Sequence, residues 1–572
     1  MIHLTMSLCF VVLAAHLFKM QVLDHAHYLA QSESNRIRPV ILEAPRGLIY
    51  DRRGEELVTN RLNFDCYIIP AEAGEYLRDA LVMLSGILGT PEAELRQVYE
   101  KRKDRSDRAV LLAEDITKER AIRIEEEASR ISGVFVKTRP VRDYLLGPSA
   151  AHVIGYIGAI GSDEYRQMRD YGYILRDWVG RDGVERSYDS YLRGRHGASQ
   201  FESDSRGRLL RVLSIREREQ GHAVTLTIDA RLQKELYKLL DGHRGAAAVM
   251  ELENGGLLAL ASAPSYDPNI FVRPAENRKR IREVLSDRKR PLSDRAIGAE
   301  YPPGSTFKIV TSTAALASGS ISGGTQFFCT GVFYIGNFKF PCWKHSGHGI
   351  QDVRDALAHS CNVFFYQAGL KSGVERLSRM ARKFGLGEAT DIDLPYEKDG
   401  LVPDAGWKKR VMHEKWYTGE TAHLAIGQGF LLATPLQMLR AAAVVATGGK
   451  VLRPYVVSRI DRVEISPRKS RHFSVDEGTL ALVREGLARA VGSDSGTGQN
   501  ARVEGLKICG KTGTAQVARQ EDHAWFVGYA PERDPKAAVV VFLENGGHGG
   551  GDGARIAGEL FRSMKAKGYL DE

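Results

Sequence analysis

The stretch Tyr301-Pro302-Pro303-Gly304-Ser305-Thr306-Phe307-Lys308 obliges a helix to begin at a defined place. Two prolines and a glycine punctuate the chain, and apolar residues of helical period follow at Phe307, Val310 and Ala314, with a stop at Gly319. Ser305 and Lys308 stand three apart, so on a helix they share one face. A serine hydroxyl is a weak nucleophile until a nearby base takes its proton. A lysine serves as that base when burial or a neighbouring cation lowers its pKa. Farther on, Ser360-Cys361-Asn362 precedes the apolar Val363-Phe364-Phe365-Tyr366, and Lys511-Thr512-Gly513-Thr514 follows the short apolar run Leu506–Cys509. A helix context for the first stretch and a strand context for the third call for an α+β domain that holds both.

In that order the three stretches resemble the Ser-x-x-Lys, Ser-Asp-Asn and Lys-Thr-Gly motifs of the penicillin-recognising serine acyltransferases, with Cys361 in place of the aspartate. Arg46-Gly47-Leu48-Ile49-Tyr50-Asp51-Arg52-Arg53-Gly54 resembles a signature of class B penicillin-binding proteins. Read as residues alone, it is a strand closed by a charged turn with Gly54 at its tip, suited to clasping segments together. Ala151–Gly158 and Gly180–Glu185 resemble that family's non-catalytic pedestal. Pro264–Asn269, Ala425–Gly429 and Thr434–Gln437 are similar to its rod-elongation branch, and the Trp343–Gly349 segment sets the chain apart from the division branch.

The resemblance implies an N-terminal membrane helix over residues 1–19, an elongated mixed α/β pedestal over 20–222 and a transpeptidase domain over 223–572. That last domain is expected to be an antiparallel sheet flanked by helices, as in serine β-lactamases. The texture of the chain agrees on the boundary. From Ala223, Val224–Asp229 leads into a helical 230–240, and the apolar strands Ala246–Leu252 and Leu257–Ser262 are joined by the hairpin signal Glu253-Asn254-Gly255-Gly256. Leu506–Cys509 continuing past Gly513, Ala524–Tyr529 and Ala537–Leu543 are expected to extend the sheet. His152, a lone histidine in an apolar run, reads as structural, and the basic run Arg278–Arg290 as a solvated face. Gly546–Gly553 reads as a flexible loop without the ending of a phosphate loop.

By resemblance the reaction is acyl transfer on peptidoglycan stem peptides, with β-lactams as covalent inhibitors. Ser305 attacks the carbonyl between the last two D-alanines, D-alanine leaves, and an amine of a neighbouring peptide resolves the acyl-enzyme. Lys308 is the expected general base, Ser360 the proton relay, and Asn362 the holder of Lys308 and the substrate amide. Lys511 adds positive potential, Thr512 and Thr514 offer hydroxyls to the terminal carboxylate, and Gly513 lets the strand approach without a Cβ. The backbone N–H groups of Ser305 and Thr514 form the expected oxyanion hole. The rivals are a serine β-lactamase or D,D-carboxypeptidase and, from another class, an idle activator of a glycan polymerase. No Glu-x-x-Leu-Asn run lies between Ser360 and Lys511 to activate a deacylating water.

At 572 residues, length alone suggests two to four domains. The net charge of +9 suits an anionic polymer or a membrane surface as well as plain solubility, and no nucleic-acid module is present. Ile2–Phe18 is apolar apart from His3, Thr5, Ser7 and His16, which is near the short limit of a membrane span. The basic leader of a cleavable signal is missing, as it would be if the start site were placed too late. A retained anchor in the inner membrane is expected, with the catalytic domain in the periplasm and the pedestal docked on a SEDS-family glycan polymerase of the rod-elongation complex.

Cys329, Cys342, His348 and Cys361 all fall between the first two motifs. Three thiolates and an imidazole are the donors of a closed structural zinc site, and Gly347 and Gly349 free the backbone to aim the histidine. The competing expectation is a disulfide in an oxidising compartment, although three cysteines leave one unpaired and His348 idle. Cys9, Cys66 and Cys509 sit in apolar runs and read as buried inert thiols. A zinc ion here would be structural, pinning Cys361 and hence the second motif.

Overall fold

The computed structural model describes residues 2–26, 28, 37–103, 109–128, 133–175, 177–203, 209–274, 276–465, 469–516 and 521–571. The polar helical stretch expected after residue 20 runs into positions outside this set, where Ser129 and Val517 also lie. Helix α1 (Ile2–Phe18) continues in a wider turn to Leu23, so the apolar span Thr5–Leu23 reaches 19 residues, none of it buried against protein. Cys9 rides on this helix and is exposed, which corrects the reading of a buried thiol, whereas Cys66 and Cys509 are buried. An apolar run signals burial from water, and a helix with no protein neighbour leaves its thiol outside.

The chain packs into two units. The first comprises Met1–Gly47, Asn60–Asp143 and Arg193–His222. In it, the later part of the strand Glu56–Ile68 pairs antiparallel with Val110–Ile116. The helices Leu77–Leu88, Glu92–Arg102 and Lys118–Ala128 lay Leu81, Leu84, Leu95 and Ile124 onto Cys66, Ile68 and Val110.

The second unit comprises Leu48–Thr59, Tyr144–Leu192 and Ala223–Glu572. A single break near residue 222 therefore does not describe the packing, because two earlier segments return to the C-terminal body. Buried carboxylates hold the first of them. Asp51 Oδ1 accepts from the amides of Arg53 (2.7 Å) and Glu55 (2.8 Å), while its Oδ2 accepts from Ala230 N (3.2 Å). Arg53 Nε donates to Asp229 Oδ2 at 2.7 Å, and Asp229 caps helix α2 (Ala230–Leu239) through the amides of Arg231 and Leu232. The charged turn is thus the clasp its residue types suggest. The second segment is held by Gln233 Nε2 on Ser149 O (2.6 Å) and by His152 Nε2 on Pro291 O (2.8 Å). His152 is a buried structural histidine.

The body of this unit is a five-stranded antiparallel sheet. Its strands are β1 (Gly245–Glu251), β2 (Leu257–Ala263), then, after the intervening site region, β7 (Cys509–Ala515), β8 (His523–Ala530) and β9 (Ala537–Leu543). The order is β2-β1-β9-β8-β7, which leaves β7 on an edge. Strand β7 begins at Cys509; Leu506 pairs only with Val503 in an isolated bridge. The site region contributes α3 (Lys308–Ala317), the short strands β3 (Phe327–Cys329), β4 (Val332–Ile335), β5 (Phe338–Pro341) and β6 (Gly349–Gln351), and the helices α4 (Val353–Ala358) and α5 (Asn362–Ser372). Helix α6 (Pro435–Ala446), buried along its whole length, covers one face of the sheet. Leu232 and Leu236 of α2, with Ile556, Leu560 and Phe561 of α7 (Asp552–Ala566), cover the other against Val539 and Val541. Burial on both faces explains why β9 reads as one apolar run rather than an alternation.

Candidate active site

Gly304 has φ +54°, and a Cβ on it would lie 2.7 Å from Thr514 O, so only glycine lets this turn approach β7. Its amide donates to Gly427 O at 2.9 Å. The approach brings Ser305, in the tight turn Gly304–Phe307, beside the third motif, and Lys308 opens α3 immediately after.

Lys308 is fully buried. Its Nζ donates to Asn362 Oδ1 at 2.6 Å, to the backbone oxygen of Ser360 at 2.9 Å and to Ser360 Oγ at 3.2 Å. Ser360 sits between α4 and α5 at φ +54°, a conformation that a non-glycine residue keeps only when its surroundings enforce it. Here it offers the lysine two oxygens from one residue. Burial lowers the Lys308 pKa to about 8. Lys511, also fully buried, donates from Nζ to Thr512 O at 2.8 Å. Burial first, and the Lys308 charge second, bring it well below the ordinary lysine range. Two desolvated amines that repel one another favour a neutral partner in the pair.

Thr512 and Thr514 stand on the edge strand β7. Thr512 Oγ1 donates to Thr497 Oγ1 at 2.8 Å, and Gly549 N donates to Thr514 Oγ1 at 3.3 Å. A Cβ on Gly513 would meet Thr306 Cγ2 at 2.9 Å and Pro303 O at 3.0 Å, so the strand and the nucleophile turn are in contact. Ser305, Ser360, Asn362, Thr512 and Thr514 line one cleft of about 640 Å3. Trp343, Thr497 and His548 line it too, and the sequence reading had not singled them out as site residues. Only the glycine density of 546–553 signals its part of the site; that loop packs on β7 rather than standing free.

The four candidate metal ligands also meet. Cys329 ends β3, Cys342 follows β5, His348 precedes β6 and Cys361 links α4 to α5; their donor atoms lie within 4.8 Å of one another. His348 Nδ1 is 3.6 Å from Cys329 Sγ and 3.5 Å from Cys342 Sγ. Zinc bonds of about 2.3 Å to sulfur and 2.0 Å to nitrogen give a tetrahedral S···N edge of roughly 3.5 Å, so the donor set fits that ion. His348 Nε2 is buried with no hydrogen-bond partner, so the ring meets its polar neighbours through Nδ1. The Cys342 thiol is held below the ordinary cysteine range, chiefly by a hydrogen bond from Cys361, which favours the thiolate that metals bind. No disulfide joins any of the six cysteines.

Residues 245–564 match the penicillin-binding protein transpeptidase domain, and residues 41–226 the penicillin-binding protein dimerisation domain. The chain belongs to the penicillin-binding protein transpeptidase family. It is 32% identical to the peptidoglycan D,D-transpeptidase MrdA of Haemophilus influenzae, over 96% of this chain and 88% of that protein. The penicillin-binding protein PBP2 of Helicobacter pylori, solved in complex with MreC, superposes with a TM-score of 0.79 at 28% identity, covering 93% of this chain and 99% of that one. A chain from a peptidoglycan synthase complex, solved in work on the coordination of polymerization and crosslinking, superposes at 0.77 with 32% identity over 100% of this chain and 98% of that one. In this penicillin-binding protein the dimerisation-domain match ends close to residue 222, while Leu48–Thr59 and Tyr144–Leu192 pack with the transpeptidase body.

Proposed function

We propose that this transpeptidase cross-links stem peptides during cell-wall elongation, with Ser305 as nucleophile and Lys308 as its base. The carrying observation is the buried Lys308 amine, gripped by Ser360 and Asn362 at the head of the helix that follows Ser305. Ser305 Oγ attacks the carbonyl between the two terminal D-alanines and its proton passes to Lys308 Nζ. Collapse of the tetrahedral intermediate breaks the amide bond, and Ser360 Oγ carries a proton to the departing D-alanine amine. The acyl ester is then attacked by the amine of a second peptide, which gives up its proton by the same route. Backbone N–H groups of Ser305 and Thr514 receive the oxyanion, each worth about 3–4 kcal/mol in comparable sites. The free edge of β7 suits an extended peptide, with Thr512 and Thr514 hydroxyls at its terminal carboxylate and the potential of Lys511 behind them.

A fluorescent penicillin tests this reading. A long-lived adduct on the wild-type chain is expected; rapid turnover would make it a β-lactamase, and no adduct an idle activator. Lys308 works only as the neutral amine, so labelling slows as pH falls through about 8, leaving roughly a tenth of the base active at pH 7. A rate that is flat from about pH 6 to pH 9 would overturn the role of Lys308.

Cys329, Cys342, Cys361 and His348 Nδ1 would hold one zinc ion. Four protein ligands close the coordination sphere, so the ion would supply rigidity and no acyl chemistry. The apolar span Thr5–Leu23 supports an inner-membrane anchor with the catalytic unit in the periplasm. The Helicobacter relative bound to MreC and the relative within a peptidoglycan synthase complex support docking in a rod-elongation complex, on a SEDS-family polymerase. Native protein recovered in the soluble fraction without detergent would refute the anchor.

A further inference from the structure

The hairpin β4–β5 packs on the body of its unit through the face that carries Phe333, Ile335 and Phe340. Its register pairs Phe333 with Phe340 and Tyr334 with Lys339, and alternation puts these pairs on opposite faces. Phe333 and Phe340 pack into the cluster of Tyr366 and Ala422, with the Phe340 ring 5.5 Å from that of Tyr366. Pro341 O accepts from Tyr366 Oη at 3.2 Å and from Asn362 Nδ2 at 3.4 Å, which ties the hairpin to the second motif. The other face is open. Tyr334 is 53% exposed, and its neighbours Lys339 and Pro341 belong to the wall of the cleft that holds Ser305. Trp343, 48% exposed, continues that wall, its ring fixed by Nε1 donating to His359 O at 3.0 Å. Phe338, paired with Ile335, falls on the packed side, where it overhangs the end of the hairpin.

We propose that this face extends the active-site cleft and binds the glycan chain to which the stem peptide is attached. The inference rests on the transpeptidase reading, since it supplies the rest of that substrate. Tyr334 and the hydrogen-bonded Trp343 place two exposed rings beside the cleft, and exposed apolar surface at the rim of a site marks a place for a ligand. Each sugar ring presents an apolar C–H face that packs on an aromatic ring, as bases stack on such platforms in single-strand binding proteins. Lys339 places a positive charge where the carboxylates of the stem peptide pass from the glycan into the cleft. The open face is continuous with the catalytic cleft through Lys339, Pro341 and Trp343, which favours the polymer being processed over an unrelated partner.

The test uses the full chain in detergent and glycan chains stripped of their stem peptides. Wild type should retain these chains, and Tyr334→Ser should weaken retention at least tenfold. Labelling by fluorescent penicillin should fall far less than retention does, which also reports that the variant is folded. Lys339→Glu, a surface substitution, should weaken cross-linking of stem-bearing strands more than binding of stripped ones. Wild type that ignores stripped glycan, or a Tyr334→Ser chain that retains it equally, would overturn the proposal. So would a hairpin whose substitution instead abolishes vesicle binding or self-association. Absence of penicillin labelling in the wild type would instead strike the transpeptidase reading itself.

Discussion

Ser305→Ala will form no covalent adduct with penicillin, and Lys308→Ala will form it roughly a thousandfold more slowly than wild type. The first substitution removes the only atom that bonds to the acyl group and, at the one half-buried position of the turn Gly304–Phe307, leaves the rest intact. The second removes the group within reach of which Ser360 and Asn362 converge, and general-base contributions of this kind are worth about 10²–10⁴ in rate. Lys308→Ala also leaves Asn362 Oδ1 and the Ser360 backbone oxygen without their donor, costing about 1–3 kcal/mol of stability for each group that water does not reach. Lys308→Arg separates the two effects. It keeps a donor but fixes the charge, because a guanidinium does not deprotonate in proteins, so it should be as slow as the alanine variant. Labelling kinetics followed beside thermal unfolding decide the matter. A Lys308→Arg chain acylated within tenfold of wild type would remove lysine from the mechanism.

The second large effect concerns the proposed zinc. Elemental analysis of the purified chain should find close to one zinc per molecule, and Cys342→Ser should lose it. An ion present at a thousandfold over its dissociation constant adds about 4 kcal/mol to folding stability. At roughly 2 °C per kcal/mol for a body of this size, the variant should melt about 8 °C lower. Acylation should fall several-fold as well, because Cys361 lies between Ser360 and Asn362 and its release frees both. A zinc-free wild type with full penicillin reactivity, or a mapped Cys329–Cys342 disulfide, would refute the site.

Residue order alone determined the parts whose causes are local. The hairpin β1–β2 follows from two apolar runs around Asn254-Gly255-Gly256, and α2 from the cap at Asp229. The nucleophile turn was legible because Pro302, Pro303 and Gly304 leave the chain few alternatives, and the grouping of candidate metal donors because three of the six cysteines fall within residues 329–361. Tertiary structure decided what depends on partners remote in the chain. Leu48–Thr59 and Tyr144–Leu192 join the transpeptidase body through buried contacts such as Asp51 with Ala230; the charged turn suggests a clasp, but no local pattern names its partner. Strand β7 starts at Cys509 because pairing with Tyr529 begins there, although Leu506 and Ile508 before it are apolar too. Thr497 and Gly549 reach the site from across the fold, as hydrogen-bond partners of Thr512 and Thr514. Periodicity and caps encode a segment's own conformation, whereas a hydroxyl's partner is set by which segment happens to pass it once the core has closed.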